Sequence, residues 1–157
     1  MSADVERTLV LPDLAATRVL GAALARLVRP GDAIALSGPL GAGKTELARA
    51  VLRALGHAGE VPSPTFTLVQ VYDLADLSVW HVDLYRLERP AEAVELGLED
   101  AFADAVTLIE WPERLGAALP EERLDVALDF GVAETERAAR LVGHGAWADR
   151  MREFSLA

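Results

Sequence analysis

The strongest constraint on this chain is the eight-residue segment Gly38-Pro39-Leu40-Gly41-Ala42-Gly43-Lys44-Thr45, which matches G-x-x-x-x-G-K-[ST] at every fixed position. Its surroundings fit too. Asp32 to Ser37 is a continuous apolar run between turn signals, as a buried strand would be. After the segment, Leu47, Val51 and Leu55, with Ala48 and Leu52, mark one face of an amphipathic helix that Gly56 stops. A strand, a glycine-rich turn and a helix in that order make a cradle for phosphate. Glycines let the backbone curl so that successive N–H groups point inward, and the helix N-terminus adds about half a positive charge. Lys44 brings a compact charge to the β- and γ-phosphates, and the Thr45 hydroxyl is a ligand for Mg2+. Gly38, Gly41, Ala42, Gly43, Lys44, Thr45 and Glu46 are therefore the expected nucleotide contacts.

Composition sharpens this reading. Of 15 basic residues, 14 are Arg, and the only lysine is Lys44. A planar guanidinium does not replace an ammonium where a point charge is needed, so the position of that lysine is informative. The 25 acidic residues give a net charge of −10, which argues against this chain gripping nucleic acid by itself. The absence of cysteine excludes disulfides, thiolate metal sites and cysteine nucleophiles. His57, His81 and His144 are too scattered for a zinc site. No apolar run approaches the roughly 20 residues of a membrane helix, and residues 1–7 contain no signal-peptide core. A cytoplasmic protein without a membrane segment is expected. With 157 residues, 52% of them hydrophobic, one globular domain over 1–157 is the natural size class.

The remaining pattern alternates strands and helices. Val5 to Leu11 reads as a first strand, and Asp13 caps a helix whose face is Leu20, Leu24, Leu27 and Val28. Pro30-Gly31 ends that helix. Phe66 to Asp73 and Ser78 to Asp83 are strand-like and too closely linked to be parallel, so they form an antiparallel hairpin. Pro90 opens a short helix to about Leu96, Val106 to Glu110 is another buried strand, and Pro112 to Pro120 is a loop. Leu124 to Phe130 and Arg137 to Val142 alternate as strands, and Trp147, Met151 and Phe154 stripe a C-terminal helix over 146–155 that packs on the domain. The expected fold is α/β: a P-loop NTPase-like mixed β-sheet flanked by helices.

A phosphate loop needs carboxylates at the ends of neighbouring strands to hold Mg2+ and orient water. Two strands end that way, at Asp83 and Glu110, and both are candidate metal ligands and catalytic residues together with Lys44 and Thr45. Sequence leaves open which of the two carboxylates positions the water. Ser63-Pro64-Thr65-Phe66-Thr67 lies where other phosphate-loop enzymes keep a γ-phosphate-sensing segment, and Thr65 or Thr67 offers a hydroxyl there. His81 reads as a packed or hydrogen-bonded structural residue, and Trp111 as a core or lid aromatic. Arg86 suits a phosphate contact and an ion pair equally well.

Four blocks now stand in order: Gly38 to Thr45, Ser63-Pro64-Thr65-Phe66-Thr67-Leu68-Val69, His81-Val82-Asp83-Leu84-Tyr85-Arg86-Leu87, and Glu110-Trp111-Pro112-Glu113-Arg114-Leu115. Together they resemble the TsaE (YjeE) family, small bacterial ATPases of tRNA threonylcarbamoyladenosine synthesis, over about residues 8 to 130. The resemblance implies Mg2+-ATP binding and slow hydrolysis. It also implies docking onto a TsaB–TsaD pair, with tRNA engaged only through those partners. By position it assigns Lys44 and Thr45 to phosphate and Mg2+, Glu110 to the metal-proximal glutamate, Asp83 to the motif aspartate, Thr65 to the switch-like threonine and Trp111 to the tryptophan beside the glutamate. Two other readings use the same loop: a small-molecule kinase, and a nucleotide-binding interaction module without turnover. A kinase usually adds an arginine-rich lid, and no such insertion follows the hairpin. A GTPase-type switch fits less well: with no Asn in the chain the guanine-specifying Asn-Lys-x-Asp element is impossible, so adenine or weak base selectivity is expected.

Overall fold

A computed structural model describes residues 3–64 and 68–156 of the chain. Local signals set its first elements. Strand β1 (Val5–Leu11) is followed by helix α1 (Leu14–Ala25), whose cap Asp13 accepts the Ala16 N–H at 2.9 Å through Oδ1. Strand β2 (Ala33–Ser37) leads through the glycine-rich turn into α2 (Lys44–Ala54). There Gly56, at φ +112, closes the end as the His57 N–H bonds back to Leu52 O. The hairpin β3 (Val69–Asp73) and β4 (Ser78–Asp83) comes next, then α3 (Glu92–Glu95), α4 (Leu98–Asp104) and β5 (Val106–Glu110). A 3-10 helix (Pro112–Ala118), β6 (Leu124–Phe130), β7 (Arg137–Gly143) and α5 (Ala146–Arg152) complete the order.

Seven strands form one sheet in the order β1-β7-β6-β2-β5-β4-β3. The inner strands β6, β2, β5 and β4 run parallel to one another, and β1, β7 and β3 pair antiparallel at the flanks. Parallel strands buried on both faces need continuous apolar sequence, and all of β5 and Ala33–Leu36 of β2 are buried. Because side chains alternate between faces, two cores form. One joins Leu36, Leu108 and Val126 to Leu20 and Leu24 of α1 and Leu47 and Val51 of α2, with Trp147 and Met151 of α5. The other joins Val82 and Ile109 to Ala93, Leu98 and Leu115. In register, Leu36 faces Glu110 and Asp83 faces Glu110. The C-terminal ends of three parallel strands thus lie level. No helix among the described residues is long and apolar enough to cross a membrane.

Several boundaries differ from the sequence expectation. The helix expected from Pro90 to Leu96 is a single turn, Glu92–Glu95, and a second helix, Leu98–Asp104, follows it. Gly97 separates them at φ +76, a conformation that interrupts a right-handed helix. The segment after Pro112 is 3-10 helical, broken at Gly116 (φ 54, ψ −126), and not simply a loop; Pro at its start supplies a helical φ. The first helix stops at Ala25, short of Leu27 and Val28, and the last covers Ala146–Arg152 where 146–155 was expected. In both cases the apolar stripe continues into non-helical chain that still packs on the core, as Leu27, Val28 and Phe154 do. Strand β3 begins at Val69; Thr65, Phe66 and Thr67 lie outside the described residues.

The first core depends on a close helix crossing. A Cβ placed on Gly21 of α1 would overlap Ala50 Cβ of α2 and stand 2.9 Å from the Ala50 carbonyl carbon. Helix propensity alone favours Gly21→Ala by about 1 kcal/mol. Crowding reverses the sign: Gly21→Ala should lower stability by about 1–3 kcal/mol in urea unfolding.

Candidate functional site

The glycine-rich turn is held against β6. Gly38, at φ +135, sits so close to Leu128 that an added Cβ would overlap the Leu128 carbonyl oxygen. Gly41 and Gly43, at φ +83 and +106, take the left-handed conformations that the turn requires. The helix then opens at Lys44, and its first bond runs from the Leu47 N–H to Gly43 O at 2.9 Å. First-turn N–H groups have no intrahelical acceptor, so this end is electropositive. Glu46 pairs with Arg49, whose Nε donates to Val61 O at 2.7 Å and ties the following loop to α2.

Four buried polar side chains, Lys44, His81, Asp83 and Glu110, meet beside this turn together with the half-buried Thr45. Lys44 is 4% exposed; its Nζ donates to Gly38 O and, at 3.3 Å, to Pro39 O, and lies 3.7 Å from the centre of the Trp111 ring. Burial pushes its pKa below the ordinary lysine value, while the charges of Glu110, Glu113 and Asp83 pull it back up. Glu110 is 3% exposed. The Thr45 hydroxyl donates to it, 2.9 Å from each carboxylate oxygen, and His81 Nε2 stands 2.7 Å from Oε2. Asp83 is equally hidden, and its Oδ1 accepts the Tyr85 N–H at 3.0 Å. Trp111 turns the chain out of β5 in a left-handed conformation, φ 59 and ψ 52, which is unusual for a bulky residue. That turn lays its indole over Lys44 and 5.0 Å from the Tyr85 ring.

Of these groups, all but His81 line a cleft of about 310 Å3. Of the residues expected from sequence, Gly41, Gly43, Lys44, Thr45, Glu46, Asp83, Glu110 and Trp111 all border it. Gly38 contributes only its carbonyl to Lys44. Ala42 is not among the lining residues; its methyl is buried in the first core and its N–H bonds to Pro39 O at 3.1 Å. Arg86 is not among the lining residues, and Thr65 lies outside the described ones. Sequence reading assigned no role to Ser63 or Tyr85 in the lining, and it kept His81 away from the chemistry. One signal was available. His81 and Asp83 are two apart in a strand and so share a face, but which strand stands beside them is not written locally.

Thr45, Asp83 and Glu110 offer only oxygen, the donor chemistry of a hard cation. Among the described residues no three His, Cys, Asp or Glu side chains form a cage of their own.

Comparison with known proteins agrees with the geometry. Residues 11–139 match the family model described as threonylcarbamoyl adenosine biosynthesis protein TsaE. A tRNA threonylcarbamoyladenosine biosynthesis protein TsaE of Streptomyces coelicolor is 42% identical over 128 residues, covering 80% of this chain and 86% of the relative. The TsaE of Haemophilus influenzae is 47% identical over 96 residues, 60% of this chain, and the match spans 61% of that relative's length. The crystal structure of Bacillus subtilis YdiB superposes with a TM-score of 0.82 at 27% identity, covering 98% of this chain and 95% of the other.

The Lys44–Trp111 contact is open to a direct test. Lys44→Met keeps the stem and removes the ammonium. It should change tryptophan emission in the nucleotide-free protein, and the change should vanish in a Trp111→Phe background. Equal spectra for wild type and Lys44→Met would mean the ammonium does not sit on this ring.

Proposed function

The chain belongs to the TsaE family, and from that membership and the cleft we propose that it is a Mg2+-dependent ATPase serving tRNA threonylcarbamoyladenosine synthesis by acting on a TsaB–TsaD complex. The observation that carries the reading is the convergence of Lys44, Thr45, Asp83 and Glu110 on one cleft at an electropositive helix start. Four residues from three elements meet where open α/β sheets place their ligands.

The residues divide the work. The turn and the first N–H groups of α2 hold the phosphates. Lys44 gives up its bonds to Gly38 O and Pro39 O in exchange for phosphate oxygens, a stronger charge-assisted contact. Thr45, with Glu110 and Asp83, would hold Mg2+, whose contribution is to neutralise charge on the transferring phosphoryl group. Glu110 or Asp83 orients the attacking water. A neighbouring recess of about 380 Å3, lined in part by Leu14, Thr17, Thr135 and Arg137, shares Gly41, Gly43 and Glu46 with the cleft and leaves room for the nucleoside. No arginine lines the cleft among the described residues. Turnover of the isolated chain is expected to be slow until a partner supplies a finger, worth about 10³–10⁵ in rate. The acidic net charge of −10 leaves tRNA contact to those partners.

Lys44→Arg should abolish productive ATP binding although charge is kept, because a guanidinium is planar and too large for the slot. Near-normal turnover in that variant would remove Lys44 from the phosphates. Glu110→Gln should remain folded and lose hydrolysis by about 10²–10³-fold, with nucleotide still held by the turn and Lys44. Full Mg2+-dependent turnover in that variant would count against the metal assignment, and a lowered melting temperature as the only defect would make Glu110 structural. Hydrolysis measured with and without purified TsaB–TsaD tests the role. Stimulation supports it, whereas ATP-dependent phosphorylation of a small molecule would make the chain a kinase.

A further inference from the structure

We propose that His81 is a positioning residue that acts through Glu110. Its Nε2–H holds the carboxylate in the orientation that lets Glu110 accept the hydrogen bond of the Thr45 hydroxyl and leaves the threonine oxygen's lone pairs for a cation. The proposal rests on the nucleotide reading above and names a residue beyond the lining of the cleft.

Geometry fixes the direction of the bond. His81 Nε2 lies 2.7 Å from Glu110 Oε2, with both side chains buried. Two acceptors at that distance would repel, so Nε2 carries the proton and the carboxylate accepts. Nδ1 is buried without a hydrogen-bond partner among the described residues. A bare lone pair there is tolerated better than an orphaned N–H, which keeps the imidazole in the Nε2–H tautomer. The fully buried ring does not border the cleft, so it touches neither nucleotide nor cation.

Packing alone does not call for histidine at this position. Val79, two residues earlier in β4, and Leu108, directly opposite in β5, are aliphatic, while Gln70 stands opposite in β3. An apolar side chain would fill the space with no desolvation cost. What histidine adds is a donor aimed at Glu110. The carboxylate is then pinned from both sides, by Thr45 at the start of α2 and by His81 in β4. Outer partners of this kind orient the groups that meet a metal.

The experiment compares wild type with His81→Leu, His81→Gln and His81→Asn, the Leu change also in a Glu110→Gln background. Turnover is followed across Mg2+ concentration, and ATP affinity is read from Trp111 emission in EDTA and in Mg2+. His81→Leu should raise the half-saturating Mg2+ concentration about 10–100-fold and erase most of the gain in ATP affinity that Mg2+ gives. Its affinity in EDTA should match wild type. Gln, whose amide nitrogen replaces Nε2, should recover most of the loss; Asn, too short to reach Glu110, should resemble Leu and replaces it if the Leu variant does not fold. In the Glu110→Gln background the Leu change should add little. Wild-type Mg2+ dependence in both Leu and Asn variants overturns the proposal. So do equal losses with and without Glu110, or a loss of ATP affinity already present in EDTA. A wild-type protein that neither binds nor hydrolyses ATP overturns the nucleotide reading and this proposal with it. A wild type that does both, beside a silent His81 variant, overturns the proposal alone.

Discussion

A carboxylate buried to 3% exposure is the interaction on which the rest of this cleft depends. Taking such a charge out of water costs several kcal/mol unless donors and opposite charge meet it. Glu110 is met by the Thr45 hydroxyl and His81 Nε2, with the Lys44 ammonium close enough to feel its field. Those partners come from α2 and β4, while Glu110 itself ends β5. The arrangement therefore requires β4 to lie in register beside β5, and α2 to begin level with the strand ends. Sheet order, register and the crossing of the glycine-rich turn are all consequences that this one buried group makes visible.

The wall of the cleft holds a second set of opposed terms. Trp111 stands in the left-handed region, which costs an ordinary residue about 1–2 kcal/mol. Its indole recovers part of that through the cation–π contact with Lys44, worth about 0.5–2 kcal/mol depending on desolvation. The lysine meanwhile donates to two carbonyls of the turn, Gly38 O and Pro39 O. Two carbonyls and a ring thus hold the ammonium at the start of α2.

Both faces of the sheet are covered, one by α1, α2 and α5, the other by α3, α4 and the 3-10 helix. That is why β5 has no solvent-facing residue and why polar side chains appear on it only at Thr107 and at its last position. Close contacts reinforce the scaffold at two glycines: Gly21 lets α1 approach α2, and Gly38 lets the turn approach β6. With the helix carrying Lys44 and Thr45 clamped between them, the cleft is built on packed elements, which keeps its charged groups in fixed relation.

Much of this was legible locally. The pattern from Gly38 to Thr45 needs only neighbouring residues, because turn, helix start and anion affinity all follow from backbone chemistry within ten positions. Strands ending on Asp83 and Glu110, the cap at Asp13 and the stop at Gly56 were readable for the same reason. Helix lengths were less so, since Gly97 breaks one helix and the stripes through Val28 and Phe154 go on packing after the helical bonds have ended. The sequence by itself determined a glycine-rich turn between strand and helix, a mixed sheet and two candidate carboxylates. Only the tertiary structure decided that His81 serves Glu110, that Trp111 covers Lys44 and that Ala42 belongs to the core. Each of these joins residues at least 29 positions apart or depends on strand register, and hydrogen bonds across a sheet are chosen by which strand lies next door.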